Sequence, residues 1–247
     1  GVRLVGSEMC IRDRILTAHQ IGYLPWLGLF HKIWLSDTFV SLDTTQYLTG
    51  EWMNRNKIKS HNGDEWLTVP VIRKGFLNKK AFEIRIDDSR NWRKKHFKTL
   101  CLNYKNSRYY DYYINILEKI YLKKWDFLSD LNEHILKIFL KELNIKVEFL
   151  KASDENFNGK GSDLVLDICK KLKADKFIFG SQGTNYVLDS DFKENNIEIF
   201  FQNYAHPKYS QSHGNFISNL SVIDLFFNEG PKSLEKIVKN QNNFNLK

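Results

Sequence analysis

The stretch that most constrains what this chain can fold into runs from Ala18 to His31. It follows the short apolar run Ile15–Ala18, sets the turn formers Gly22 and Pro25 among aromatic residues, and then takes on helical period through Leu27, Phe30, Ile33 and Trp34. The spacing predicts strand, tight loop, helix. His19, Gln20 and Tyr23 then lie where the carboxyl end of a strand meets the amino end of a helix. In open α/β sheets that crevice binds ligands, and free N–H groups there favour anions. The segment is neither a G-x-G-x-x-G nor a Walker loop. Gly22, Pro25 and Trp26 therefore also read as residues that only shape a buried turn.

Downstream, Thr38–Asp43 alternates like a strand, with Asp43 near its carboxyl end. Residues 46–60 are polar and aromatic with little apolar period, which predicts a loop or a short capped helix. Within them Arg55 offers a planar fork for phosphate or carboxylate and Lys57 a point charge. The alternative is that Asn54 and Asn56 tie down the loop while Arg55 pairs with Asp43. Glu65–Arg73 and Phe82–Asp87 read together as a hairpin, with Pro70 marking an edge or a break. Asn91–Lys105 is helical, carrying Trp92, His96, Leu100 and Tyr104 every fourth residue behind an N-cap at Asp88-Ser89. Its basic run, Arg90 to Lys98, is either a phosphate-facing end or a solvated face. Two more helices, Tyr110–Leu122 and Leu128–Leu143, complete a helical block suited to packing on the sheet or to an oligomer contact.

Strand and helix then alternate again through Val147–Leu150, Ser162–Leu172, Lys176–Gly180, Asp191–Asn195, Ile197–Gln202 and Phe216–Phe227. The turn Gly180-Ser181-Gln182-Gly183 brings N–H groups to a strand end, as phosphate-cradling loops do, or is an ordinary strand-to-helix turn. His206 and His213, with Tyr209 and Gln211 between them, fit a metal site, an acid/base pair or an ordered loop. The metal reading lacks an adjacent third ligand. The fold expected is a single α/β domain: a mainly parallel sheet with helices on both faces, an inserted β-hairpin and an inserted helical block.

The net charge of +8 fits nucleic acid, an anionic membrane face or a phosphate-bearing substrate, and its dispersal along the chain argues against nucleic acid. Three cysteines without metal spacing, no run of about 18 apolar residues and no secretory h-region predict a cytoplasmic protein with no membrane span. Residues 1–14 resemble translated sequencing-adapter sequence and are set aside as a non-native leader, together with Cys10. Residues 15–240 are then the domain and 241–247 a tail.

His19–Phe30, Trp52–Ile58 and Asn215–Asn228 together resemble the WbqC-like protein family, and the resemblance runs from Ile15 over nearly the whole chain. Lys95 and His96 fit its Trp-x-x-Lys-His pattern. The family usually has Gln-Pro at its first motif; Gln20-Ile21 here implies a less rigid loop. Its members are known mainly from gene clusters for O-antigen and other surface polysaccharides. The resemblance implies a transferase that places an acyl or aminoacyl group, such as glycine, on a nucleotide-activated amino sugar, the donor being a small molecule or a carrier protein. Arg55, Lys57 and Lys95 would hold phosphates, and His19 or His213 would act as general base, with His206 and Asp43 as further catalytic candidates. Gln20, Tyr23 and Asn54 would orient the sugar, with Trp26, Asn56, His96, Gly180, Ser181, Tyr209 and Gln211 completing the site. No metal is expected and no cofactor is indicated. Two other readings stand beside it: an adenylate-forming ligase holding ATP near Gly22-Tyr23-Leu24 and His31, and a non-catalytic scaffold of the same pathway.

Overall fold

The computed structural model describes residues 13–76 and 78–246; residues 1–12 of the segment expected to be a leader, Cys10 among them, lie outside the described residues. Asp13 and Arg14 are part of the fold's edge. Arg14 donates its backbone N–H to Asp175 (2.7 Å) and its guanidinium to Glu148 (2.8 Å), and Asp13 pairs with Lys176 at 3.0 Å.

The first strand, β1 (Ile15–His19), is followed by helix α1 (Leu27–Trp34) and strand β2 (Thr38–Ser41). After the hairpin β3 (Arg55–Ser60) and β4 (Gly63–Thr68) come α2 (Trp92–Tyr104), α3 (Tyr110–Leu122) and α4 (Leu128–Glu142). The alternation resumes with β5 (Glu148–Lys151), α5 (Ser162–Lys171), β6 (Lys176–Phe179), α6 (Asp189–Lys193) and β7 (Glu198–Phe201), and ends in α7 (Val222–Glu229) and α8 (Ser233–Val238). Five strands form one sheet in the order β5-β2-β1-β6-β7, every pair parallel. Leu16 lies opposite Thr38 on one side and Phe177 on the other.

The period of two along these short strands divides the interior in two. Leu16, Ala18, Val40, Phe177 and Phe179 pack with Leu164, Ile168 and Cys169 of α5 and Phe192 of α6. Phe39 belongs instead to the larger core, with Phe30 of α1, Phe139 of α4 and the partly buried Phe149 of β5. Fully burying one such side chain stabilises the fold by roughly 1.5–3 kcal/mol. Every residue of α1 from Leu27 to Ile33 is buried, including His31 and Lys32.

The hairpin differs from the sequence expectation. Arg55–Ser60 is a strand paired antiparallel with Gly63–Thr68, while residues 82–87 form a 3-10 turn at Ala81–Glu83 and isolated bridges such as Val71 to Ile86. Polarity hid the strand, because Asn56, Lys59 and Ser60 share its buried positions with Ile58. The expected N-cap moves as well: Asn91, in the left-handed region at φ 48°, precedes α2, and Asp87 accepts from the Ser89 N–H at the short turn before it.

The helical block does bury Trp92, His96, Leu100 and Tyr104. It docks on α7, where Tyr104 stacks on Phe227 at 4.4 Å and Tyr113 on Phe226 at 4.9 Å. No helix among the described residues is long and apolar enough to cross a membrane.

Candidate active site at the sheet's switch point

Strand order reverses at β1. The chain runs outward from it through β2 to β5, then crosses to its other side for β6 and β7. Loops leaving the carboxyl ends of β1 and β6 therefore diverge and open a crevice, the usual ligand position in a sheet of this kind. A cavity of about 510 Å³ occupies it. His19 and Gln20 from the end of β1, Gly180 and Ser181 from the end of β6, and Trp26 at the start of α1 all line it. Five of the residues expected to act in function thus meet in one place.

Local chemistry shapes each wall. Gly22 is needed in the β1–α1 loop because a Cβ there would stand 2.8 Å from the Trp52 carbonyl oxygen, against which the loop lies. The Tyr23 N–H donates to the Met53 carbonyl at 3.1 Å. Gly28 leaves room for the Trp26 ring, which lies across it and meets Tyr204 edge-on at 5.5 Å. Gln20 Nε2 donates to Thr45 Oγ1 (2.6 Å), fixing the next loop along the rim. Gln202, just after β7, donates Nε2 to the Gly28 carbonyl and to His31 Nδ1, both at 2.9 Å.

The cavity's one lysine is Lys32, and no carboxylate lines it among the described residues. Lys32 is 2% exposed, and its Nζ lies 3.1 Å from the Ala18 carbonyl oxygen and 3.3 Å from His19 Nδ1. Burial pulls its pKa down to about 7. Burial, and then the lysine's charge, hold the His19 imidazole well below its ordinary pKa, so it is uncharged at neutral pH. An unprotonated imidazole and a readily deprotonated amine thus share one edge of a cavity that excludes anionic side chains.

A second, open cleft of about 860 Å³ gathers Asn54, Arg55, Lys95 and His96 of the expected residues, with Arg73 and Arg90. Thr45 lines the first cavity and Tyr47 the cleft, so one short segment walls one from the other. Arg55 lies 4.4 Å over Trp66 and donates to the Gly50 carbonyl; its Nε and the Trp92 Nε1 are buried without a hydrogen-bond partner among the described residues. Asn54 Nδ2 donates to the Val69 carbonyl at 2.9 Å. His96, its pKa brought down to about 4 by burial, takes a hydrogen bond at Nδ1 from Tyr23 while the Thr68 carbonyl holds its other nitrogen.

The remaining expected residues lie elsewhere. Tyr23 is fully buried between His96 and Tyr121, to which its hydroxyl is bonded at 2.9 and 2.5 Å. Asn56 Nδ2 donates to the Leu24 carbonyl, and Lys57 pairs with Asp64 at 2.5 Å. Asp43 accepts from the Ser153 N–H (2.9 Å) and hydroxyl (2.5 Å), not from Arg55. His206 bonds the Pro207 carbonyl and His213 the Asn103 carbonyl, and no three potential ligands group for a metal among the described residues. Tyr209 donates to Asp224 Oδ2 at 2.8 Å and Gln211 to the Ile217 carbonyl at 2.8 Å, so both fasten the segment after β7. Sequence reasoning missed Lys32, Gln202 and Tyr204. Only Lys32 carried a signal, as a lone charge in a helix with no polar face.

A sequence model of the WbqC-like protein family matches residues 20–236. An uncharacterized protein of Mycobacterium tuberculosis, Rv1507c, is 31% identical over 216 residues, covering 87% of this chain and 93% of that protein. No solved structure matches the chain significantly.

Proposed function

Since the chain belongs to the WbqC-like protein family, we propose that it is a transferase of surface-polysaccharide biosynthesis, moving an acyl or aminoacyl group onto the amine of a nucleotide-activated sugar. The observation that carries this reading is the uncharged His19 imidazole at the carboxyl edge of a carboxylate-free, switch-point cavity sized for a small molecule. Amide formation needs a base to take a proton from the attacking amine, and an imidazole that is unprotonated at the working pH is available to do so.

In this reading the sugar amine attacks the donor's acyl carbon in that cavity. A C–N bond forms, the bond from the acyl carbon to the donor's leaving group breaks, and the amine proton passes to His19 Nε2 and on to the leaving group. Trp26 and Tyr204 offer faces for the sugar ring. The cleft beyond the Thr45–Tyr47 wall, with Arg55, Arg73, Arg90 and Lys95, suits the nucleotide phosphates, and its unpartnered Arg55 and Trp92 N–H groups favour an acceptor-rich ligand.

The test is a thermal-shift screen against nucleotide sugars, ATP with Mg²⁺ and acyl-coenzyme A, followed by turnover with the ligand found. A nucleotide sugar should raise Tm, Arg55→Ala should weaken that shift, and His19→Gln should lower kcat by roughly 10²-fold or more without abolishing binding. Stabilisation by ATP with Mg²⁺ alone would replace this reading with an adenylating ligase, and no stabilisation by any nucleotide sugar would overturn it.

A further inference from the structure

Lys32 has no role in the transfer chemistry proposed for His19, yet it is a buried charge in contact with that residue. Its amine is buried, lacks an acidic partner among the described residues, and is wedged between one backbone carbonyl and one imidazole nitrogen. Two arrangements satisfy that geometry. A charged ammonium has only donors, so it donates both to the Ala18 carbonyl and to His19 Nδ1. His19 then carries its proton on Nε2, the nitrogen away from the lysine. An uncharged amine still donates to Ala18, but it is a weak donor and a strong acceptor, so it takes the Nδ1–H of His19 instead. That leaves Nε2 with a free lone pair. The titratable groups facing the pair bear on neither state: Tyr186 and Tyr204 line the cavity with burial raising both pKa values, and His31, beside Lys32 on α1, is engaged by Gln202 and Asn243.

We propose that Lys32 is a positioning residue that sets the tautomer of His19: deprotonated, it accepts the Nδ1–H and exposes Nε2 as a base, and protonated, it turns the same nitrogen into a donor. The proposal rests on the reading of His19 as the base for its consequence in turnover, but the tautomer itself is observable without any substrate. The side chain acts through the histidine and need not touch the ligand.

The experiment is a long-range ¹H–¹⁵N NMR titration of histidine-labelled protein from pH 6 to 9, which distinguishes Nδ1–H from Nε2–H imidazoles directly. In the wild type the His19 resonances should pass from the Nε2–H to the Nδ1–H pattern as the pH rises through about 7, where the buried amine loses its proton. Lys32→Arg keeps the charge at every pH and should hold His19 as Nε2–H throughout. Lys32→Met removes the partner and should abolish the pH dependence, which keeps the test open should arginine not fit. One unchanging tautomer in the wild type, or the same transition in Lys32→Met, overturns the proposal. In turnover, Lys32→Arg should lower kcat at pH 8 by about tenfold or more with KM changed far less. If the tautomer switches and turnover does not follow, the role of His19 as base fails while the switch stands.

Discussion

A lysine buried without a counter-charge stabilises its own neutral form at the fold's expense, and the effect on stability depends on pH. In the unfolded chain Lys32 keeps its proton up to about pH 10.4, whereas in the folded protein it releases it near 7. Between those values the unfolded state binds more protons, so stability rises with pH across that window and this contribution is level below it. Lys32→Met leaves a side chain of similar length and no amine to desolvate. It should stabilise the protein at pH 7 by about 1–3 kcal/mol, and its melting temperature should lose the wild type's rise between pH 7 and pH 10. Differential scanning calorimetry across that range checks both. An unchanged or lower Tm at pH 7 would mean that the amine's two hydrogen bonds outweigh its desolvation.

At the scale of elements, α1 shows what packing demands of a helix buried on all sides. Gly28 sits under the Trp26 ring, and a Cβ there would stand 2.3 Å from the ring's Cη2. Gly28→Ala must therefore push the indole off the helix toward the cavity, at a cost of about 1–3 kcal/mol for overpacking. Tm should fall, indole fluorescence should shift, and Trp26→Leu in the same chain should recover most of the loss. The elements also divide by legibility. The sheet strands were readable because they are short apolar runs bounded by turns, and α2 was readable because Trp92, His96, Leu100 and Tyr104 keep one helical period. Strand β3 was not, since its buried positions hold Asn56, Lys59 and Ser60 among others, whose polar atoms are met by groups far away in sequence: Leu24 for Asn56 and Asn215 for Lys59. The site divides the same way. His19, Gln20, Gly180 and Ser181 end or follow strands recognisable from local pattern, whereas Lys32 reaches the cavity from a helix that reads as core, and Gln202 and Tyr204 reach it only through the strand order.

At the scale of the whole molecule, one buried carboxylate joins three separated segments. Asp224 of α7 accepts from Tyr104 of α2 at 2.9 Å and from Tyr209, in the segment after β7, at 2.8 Å. Tyr104 in turn accepts the backbone N–H of Lys59 in the hairpin at 3.0 Å. Asp224→Ala strips both hydroxyls of their acceptor in a fully buried setting, which should cost about 2–5 kcal/mol in all. A urea unfolding midpoint measures the loss, and limited proteolysis should find new cleavage between residues 202 and 221, because Tyr209 is one of that segment's fastenings.

The central place of β1 in the sheet also orders events during synthesis. Its neighbour β2 follows within a few tens of residues, Leu16 facing Thr38, but β6 arrives far later: the hydrogen bond from Thr17 to the Ile178 carbonyl spans 161 residues. A nascent chain on the ribosome carries His19 and Lys32 from the outset without the wall that encloses them. The burial that shifts their acidities is therefore completed only once β6 and the loop after it have joined the sheet.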